Sequence, residues 1–452
     1  MAILPIDSGR YGTREMLAVF GEQRRIDCQV QVEGAVAAAQ GNLGIIPRAA
    51  AREISRAARG GRITARRIAA LERTTDHDTA ALVQALAGRC AAHARPWIHY
   101  GLTSNDLVDT ANSMQMRDAL AIIQPRAVRL ALALARRARQ YRRLPAVGRT
   151  HGQHASVISF GLKFANWAAE VSGHVERLEA AKPRVLLCKT LGVVGTGSLM
   201  GARAVRVQRD VAARLGLSPV AAATQVIPRE RHAEYVFCLS LLGATLEKIA
   251  VEVRNLQRTE IGEVSEAFRR GQMGSSAVPV KRNPTKSERV TSLARLLRSG
   301  VGVALENVAL WHERDLSNSA NERFVLPTTA ILADEMVVAM TAVIDGLRVD
   351  TARVAKNLEA TRGQVYSEFV LDALVKKGVP RMEAYRAVQR VAFAASASGT
   401  DFAAAVTSDA SMSSRLSAAE VAAIFEPERH LGAAPAIVDS VCRSVARMAA
   451  RR

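Results

Sequence analysis

The sequence predicts an all-α protein, and three observations carry that expectation. Strand-type alternation is scarce, whereas stretches rich in Ala, Leu, Arg and Glu recur with apolar residues at helical spacing. Residues 233–258 hold one glycine and no proline, and Val236, Phe237, Leu239, Leu242, Leu246, Ile249, Val253 and Leu256 leave almost no face polar. Such a helix would run about 39 Å and must be buried among other helices, the mark of a central bundle. The chain has 452 residues, enough for about three domains at roughly 150 residues each.

Taken in order, residues 1–102 read as a domain of shorter helices, 103–347 as a long-helix core and 348–452 as a further helical domain. Within the core, helices are expected at 105–122, 126–143, 153–180, 198–215, 233–258, 286–310 and 330–346. Polar, glycine-containing junctions separate them at 99–104, 145–152, 188–197 and 269–284. Loops held by rigid helices are where chemistry concentrates.

Composition narrows the class. Hydrophobic residues are 49% and charged residues 23%, which excludes wholesale disorder and collagen-like chains. The net charge of +20 raises nucleic acid or acidic lipid as partners. Against that, the cations are 53 arginines and nine lysines dispersed along the chain, and 4% aromatics leave few platforms for base stacking. A non-catalytic basic helical nucleic-acid-binding protein stays as a minor alternative. Five widely spaced cysteines with no C-x-x-C argue against a disulfide framework or a zinc site. With no leader-like basic and apolar N-terminal pattern, a cytoplasmic protein that inserts in no membrane is expected.

Three junctions carry candidate chemistry. GQMGSSAVPVKRNPTKSE (271–288) reads either as a basic surface linker or as an anion-gripping lid, with Lys281 and the following helix N-terminus facing negative charge. GRTHGQH (148–154) opens an expected helix that would set His151 and His154 on one face; the open alternatives are metal ligation and general acid–base work beside Arg149 and Thr150. HYGLTSNDLVDTAN (99–112) places Thr103, Ser104 and Asn105 at a helix start, suited to capping or to holding a carboxylate.

Together the three junctions resemble the motifs of the fumarase/aspartase superfamily, which cleaves carbon–nitrogen or carbon–oxygen bonds by β-elimination and releases fumarate. LTSND, GRTHGQHA and GSSAVPVKRNP stand in the superfamily's order. PIDSGRYGTREM, DHD at 76–78, ATQVIPRERHAEY, LWHERDLSNSANER at 310–323 and GVPRMEAYRAVQR are similar to the adenylosuccinate lyase family within it, so the resemblance covers nearly the whole chain.

The resemblance implies a fumarase/aspartase-like three-domain subunit whose long helices form a bundle shared in a homotetramer, with sites built by several subunits. It implies conversion of adenylosuccinate to AMP, and of SAICAR to AICAR, in purine biosynthesis, with neither metal nor organic cofactor. Ser275 would be the general base and His151 the general acid. Thr103, Ser104, Gln225, Ser276, Lys281 and Asn283 would hold the succinyl carboxylates, with Asp76, His77 and Asp78 as a substrate motif. Arg10, Tyr11, Arg314, Ser319 and Arg323 would hold the phosphate.

The chain departs from the family pattern at Val278 and Val280 in the signature loop, where Met and a polar residue are usual, and at Val157, where Pro is usual. GVVGTGSLMG (192–201) and HDTAAL (77–82) also differ. These positions leave open a specialised relative that eliminates fumarate from another N-succinyl adduct or acts on a carboxymuconate-like diacid.

Overall fold

The structure, a computed structural model, describes residues 4–269 and 271–451. Helices dominate, as expected. The principal ones are α1 (Glu22–Asn42), α2 (Arg48–Arg59), α3 (Asp78–Ala87), α4 (Ser104–Gln140), α5 (Phe160–Val185), α6 (Glu230–Leu256), α7 (Thr285–Glu306), α8 (Ser319–Gly346), α9 (Thr351–Glu359), α10 (Arg381–Ser398) and α11 (Ala434–Ala450). Strands β1 (Pro145–Thr150) and β2 (Gln153–Ser159) form a hairpin, and the two-residue strands β3 (Val264–Ser265) and β4 (Arg348–Val349) pair antiparallel.

The chain divides into two compact units. One contains the residues up to Ala127 with Gly173–Leu246 and Thr291–Val338; the other contains Val128–Ser172, Glu247–Val290 and the residues from Ala339 onward. In the first, α1 and α2 approach closely. A Cβ on Gly41 would lie 2.3 Å from that of Ala51, and one on Gly34 would lie 2.8 Å from that of Ala58. Glycines seven residues apart thus clear one face of α1. In the second, Val370, Leu374, Val388, Val391, Phe402, Val406, Met412, Leu416 and Val421 form a buried core.

Several expected boundaries move. A single α4 replaces the helices expected at 105–122 and 126–143; Pro125 lies inside it, flanked by the fully buried Ile123 and Ala127. Burial on both sides outweighs the hydrogen bond that a proline removes. The helix expected from 198 begins as a 3-10 turn over Ser198–Arg203, broken at Gly201, and is regular only over Ala204–Leu215. Helix α8 starts eleven residues before the expected 330. By length and composition alone it could cross a membrane, and 67% of its most apolar window is buried.

The largest correction concerns 145–159, which pair as β1 and β2 where a helix from 153 is expected. His151 and Gly152 form the two-residue connection, with φ of 54° and 74°. Positive φ at both positions is the pattern of a type I′ turn, whose twist matches the flanking strands. His151 and His154 therefore do not share a helix face.

Helix α6 is less uniformly buried than its sequence suggests. Tyr235, Leu239, Leu242, Leu246, Ile249, Val253 and Leu256 form a buried stripe at alternating spacings of four and three. Phe237, 50% exposed, and Val251, 39% exposed, lie off that stripe.

Candidate active site

A cavity of about 460 Å³ lies in the first unit. It is lined by residues from α1, the 72–79 corner, α4 and the 314–327 stretch, together with Arg229. Its walls gather Asp76, His77, Asp78, Ser104, Arg314, Ser319 and Arg323 from the sequence-derived set.

The 76–78 corner is shaped by capping. Asp76, at φ 48°, ends the helix Ala65–Thr75, and His77 caps α3, its Nδ1 accepting from the Ala80 N–H at 3.3 Å. A neutral His77 in that role carries its proton on Nε2. Asp78 meets Arg25 and Arg323, each at 3.2 Å. Burial alone would raise the Asp78 pKa, but the two guanidinium groups outweigh it and hold the carboxyl below its ordinary range.

Beneath this corner sits a buried charge network. Arg229 makes a two-pronged pair with Asp109, at 2.9 Å and 2.8 Å, and its Nε lies 3.1 Å from Glu322. Asp109 also accepts from the Ile227 N–H at 2.8 Å. Arg314 differs: among the described residues no ion pair involves it. Its Nη1 donates to Gln225 Oε1 at 3.0 Å, and its Nε is buried without a partner. Burial, reinforced by the neighbouring Arg229, lowers its pKa despite Asp109 nearby. A desolvated guanidinium with an unmatched N–H is suited to an incoming anion.

The remaining predicted residues fall elsewhere. Thr103 and Gln225 do not line the cavity but adjoin it, through Ser104 and Arg314 respectively. The Thr103 N–H donates to Asp106 Oδ2 at 2.8 Å, while its carbonyl accepts from Asp106, so α4 is capped by its own third residue. Arg10 and Tyr11 lie in an N-terminal turn and do not line the cavity.

His151, Ser275, Ser276, Lys281 and Asn283 belong to the second unit. His151 is exposed at the tip of the hairpin, whose base is anchored by Val147 packing with Leu358, Val365 and Tyr366. Ser275 Oγ accepts from the N–H groups of Ala277 and Val278, at 3.3 Å and 3.1 Å. Asn283 Nδ2 donates to the Gly274 carbonyl at 2.9 Å, tying the two arms of the loop together. Lys281 is exposed. The start of α7 is not open to an anion, contrary to the lid reading. Glu266 accepts from the N–H of Lys286 at 3.3 Å and of Ser287 at 2.8 Å, filling the donors that a helix N-terminus leaves unmatched.

Comparison with known proteins accounts for this combination. Residues 9–297 match the family described as Lyase, and residues 363–441 the family described as Adenylosuccinate lyase C-terminus. The chain is 39% identical over 446 residues to the adenylosuccinate lyase of Methanocaldococcus jannaschii, covering 98% of this chain and 96% of that protein. It is 40% identical over 442 residues to the adenylosuccinate lyase of Methanothermobacter thermautotrophicus, covering 98% of each. The chain belongs to the adenylosuccinate lyase family.

Membership makes it a carbon–nitrogen lyase with the superfamily's helical fold. Among solved structures, a fumarate lyase from Mesorhizobium sp. BNC1 superposes with a TM-score of 0.88 at 31% identity, over 96% of this chain and 98% of that one. The 3-carboxy-cis,cis-muconate lactonizing enzyme from Pseudomonas putida also gives 0.88, at 27% identity, over 98% and 100%.

Sequence reasoning missed Arg25, Asp109, Arg229 and Glu322. Asp109 and Arg229 are 120 positions apart and carry no local signal, so only their buried contact identifies them. Asn112 and Gln115, which also line the cavity, continue the face of α4 that begins at Ser104 and Val108, and helical spacing could have found them.

Proposed function

We propose that this member of the adenylosuccinate lyase family eliminates fumarate from adenylosuccinate to give AMP, and from SAICAR to give AICAR, in purine biosynthesis. The observation that carries the reading is full-length similarity of 39–40% to adenylosuccinate lyases, in a chain whose cavity gathers Arg314, Ser319 and Arg323 with His77 and Ser104. Arg314, with its unmatched N–H, and Arg323 suit the phosphate. Arg10 and Tyr11 extend this group from outside the cavity.

The chemistry follows from the groups present. Ser275 removes the proton next to a succinyl carboxylate. Its weakness as a base is relieved by the Ala277 and Val278 N–H groups, which point at Oγ and stabilise an alkoxide. Negative charge then builds on that carboxylate, where Lys281 and Asn283 supply a cation and an amide donor, and Thr103, Ser104, Gln225 and Ser276 hold the carboxylate oxygens. His151 delivers a proton to the departing nitrogen, a step typically contributing about 10²- to 10⁴-fold. The carbon–nitrogen bond breaks, and fumarate and the amine leave.

A homotetramer with sites shared between subunits, acting in the cytoplasm, completes the reading. It is supported by apolar side chains exposed on long helices: Phe237 on α6, Leu296 and Leu305 on α7 and Phe324 on α8, between 50% and 66% exposed. The deciding experiment mixes purified protein with adenylosuccinate, SAICAR, a simple N-succinyl amine and carboxymuconate in parallel, following fumarate from the first three and loss of the diene absorbance of the fourth. Fumarate from the two nucleotides is expected. Silence there, with turnover of carboxymuconate or the N-succinyl amine, would shift the assignment to a specialised relative.

A further inference from the structure

The mechanism above leaves unused two buried carboxylates on one short segment of the second unit. Glu263 is fully buried and Glu266 is 8% exposed, on either side of β3. The segment is rooted in regular structure. The Glu263 N–H donates to the Leu256 carbonyl at the end of α6, its carbonyl accepts from Asp350 at the start of α9, and β3 pairs with β4 between them.

Each carboxylate reaches a different catalytic element. Glu263 holds Arg149 through two bonds, Nη2–Oε1 at 2.6 Å and Nη1–Oε2 at 3.2 Å, and Asn357 Nδ2 donates to Oε1 at 2.9 Å. Arg149 sits at the register shift of β1, two residues before His151. A two-pronged guanidinium–carboxylate pair fixes orientation as well as distance, so Glu263 sets the angle of the turn that carries His151. Glu266 takes the first amides of α7, and its Oε1 also accepts from the Ser287 hydroxyl at 2.6 Å. Its own N–H donates to Gln257 Oε1 at 2.9 Å, and Gln257 Nε2 donates to the Arg282 carbonyl at 2.9 Å. The peptide between Lys281 and Asn283 is thereby tied to the same segment.

We infer that Glu263 and Glu266 are positioning residues, which fix from one four-residue segment both the turn bearing His151 and the loop bearing Ser275, Lys281 and Asn283. The inference rests on the roles assigned to those residues in the elimination. It explains how an exposed turn and an exposed loop hold the placement that proton transfer requires, since a misplacement of about 1 Å can cost roughly 10²-fold.

The test compares Glu263→Gln and Glu266→Gln with the wild-type protein on adenylosuccinate. Each is expected to lower kcat roughly 10- to 100-fold; KM should change less than about threefold in Glu263→Gln, whose turn bears only the proton donor, and should rise together with the fall in kcat in Glu266→Gln, whose loop also bears Ser276, Lys281 and Asn283. In a His151→Gln background the Glu263→Gln loss should vanish, and in a Ser275→Ala background the Glu266→Gln loss should vanish. Additive losses in either background, or KM rising in step with the fall in kcat in Glu263→Gln, would overturn the inference.

Because Glu263→Gln leaves Arg149 unpaired and can unfold the protein, the double variant Glu263→Gln/Arg149→Met removes both charges. It should recover the melting temperature but not kcat; recovered kcat also counts against the inference. Amide hydrogen exchange should rise at 148–152 in Glu263→Gln and at 282–287 in Glu266→Gln. If wild-type protein fails on adenylosuccinate, the proposed function falls, and the exchange result alone decides the anchoring.

Discussion

The cavity and the two segments proposed to move protons are built on different plans. Around the cavity, charges are matched before substrate arrives: Arg229 with Asp109 and Glu322, and Arg25 and Arg323 with Asp78. Arg314 has no ion pair among the described residues. On the hairpin turn and the 271–284 loop, His151 and Lys281 are exposed, and order comes from a few bonds at the base of each segment. In the proposed function the wall takes the phosphate end of the substrate, while proton transfer and the grip on the reacting carboxylate fall to segments held by a few bonds of their own.

The strongest way to break this division is to remove the groups proposed to move protons. Ser275→Ala and His151→Gln should each lose about 10²- to 10⁴-fold in kcat, while adenylosuccinate still binds by calorimetry or ligand-shifted melting. A Ser275→Ala protein with full activity would remove the base from the loop. Next in size is the matched wall itself. Asp109→Asn leaves Arg229, whose side chain is only 1% exposed, with Glu322 as its one carboxylate partner, and breaking such a buried pair typically costs about 3–5 kcal/mol. Chemical denaturation should show that loss, whereas Ser275→Ala should leave stability unchanged within about 0.5 kcal/mol.

How much of this was legible in the sequence follows the same line. The helices were, because apolar spacing is local; the stripe on α6 is visible from Tyr235 to Leu256. The residues proposed to act on substrate stand out too, because Ser275 and Lys281, or Thr103 and Ser104, stand within one short motif. The hairpin was not, although Val147, Thr150, Val157 and Ile158 are β-formers and His151–Gly152 is a turn pair; helical neighbours on both sides masked a strand signal only seven residues long. The supports were not legible either. Arg149 meets Glu263 across 114 positions, and Arg229 meets Asp109 across 120. Such pairs are created by folding, and each partner alone looks like an ordinary charged residue of a helix or loop.

Arg314 sharpens the comparison on the binding side. Its replacement by Met removes a cavity cation that has an unmatched buried N–H and, among the described residues, no ion pair. At about 1.5–3 kcal/mol for a hydrogen bond to a charged group, KM for adenylosuccinate should rise roughly 10- to 100-fold with kcat little changed. A fall in kcat at constant KM would instead place Arg314 with the proton-transfer groups.

The smallest expected effect concerns the turn leading into Thr103 and Ser104. His99, at φ 60°, bonds Glu33 through Nδ1 at 2.6 Å, and its backbone N–H donates to the same carboxylate. Burial alone would lower the His99 pKa, but the Glu33 hydrogen bond and the negative charges of Glu33 and Asp106 together outweigh it and raise it. A raised folded pKa means that the contribution to stability is fully present below the unfolded value of about 6.5 and is lost as pH rises through the folded value. The melting-temperature gap between wild type and Glu33→Gln should therefore be widest in mild acid and narrow toward alkaline pH. A gap that stays constant would show that this turn is held by the neutral hydrogen bond alone, leaving the matched-charge plan to the cavity wall and not to the turn that feeds it.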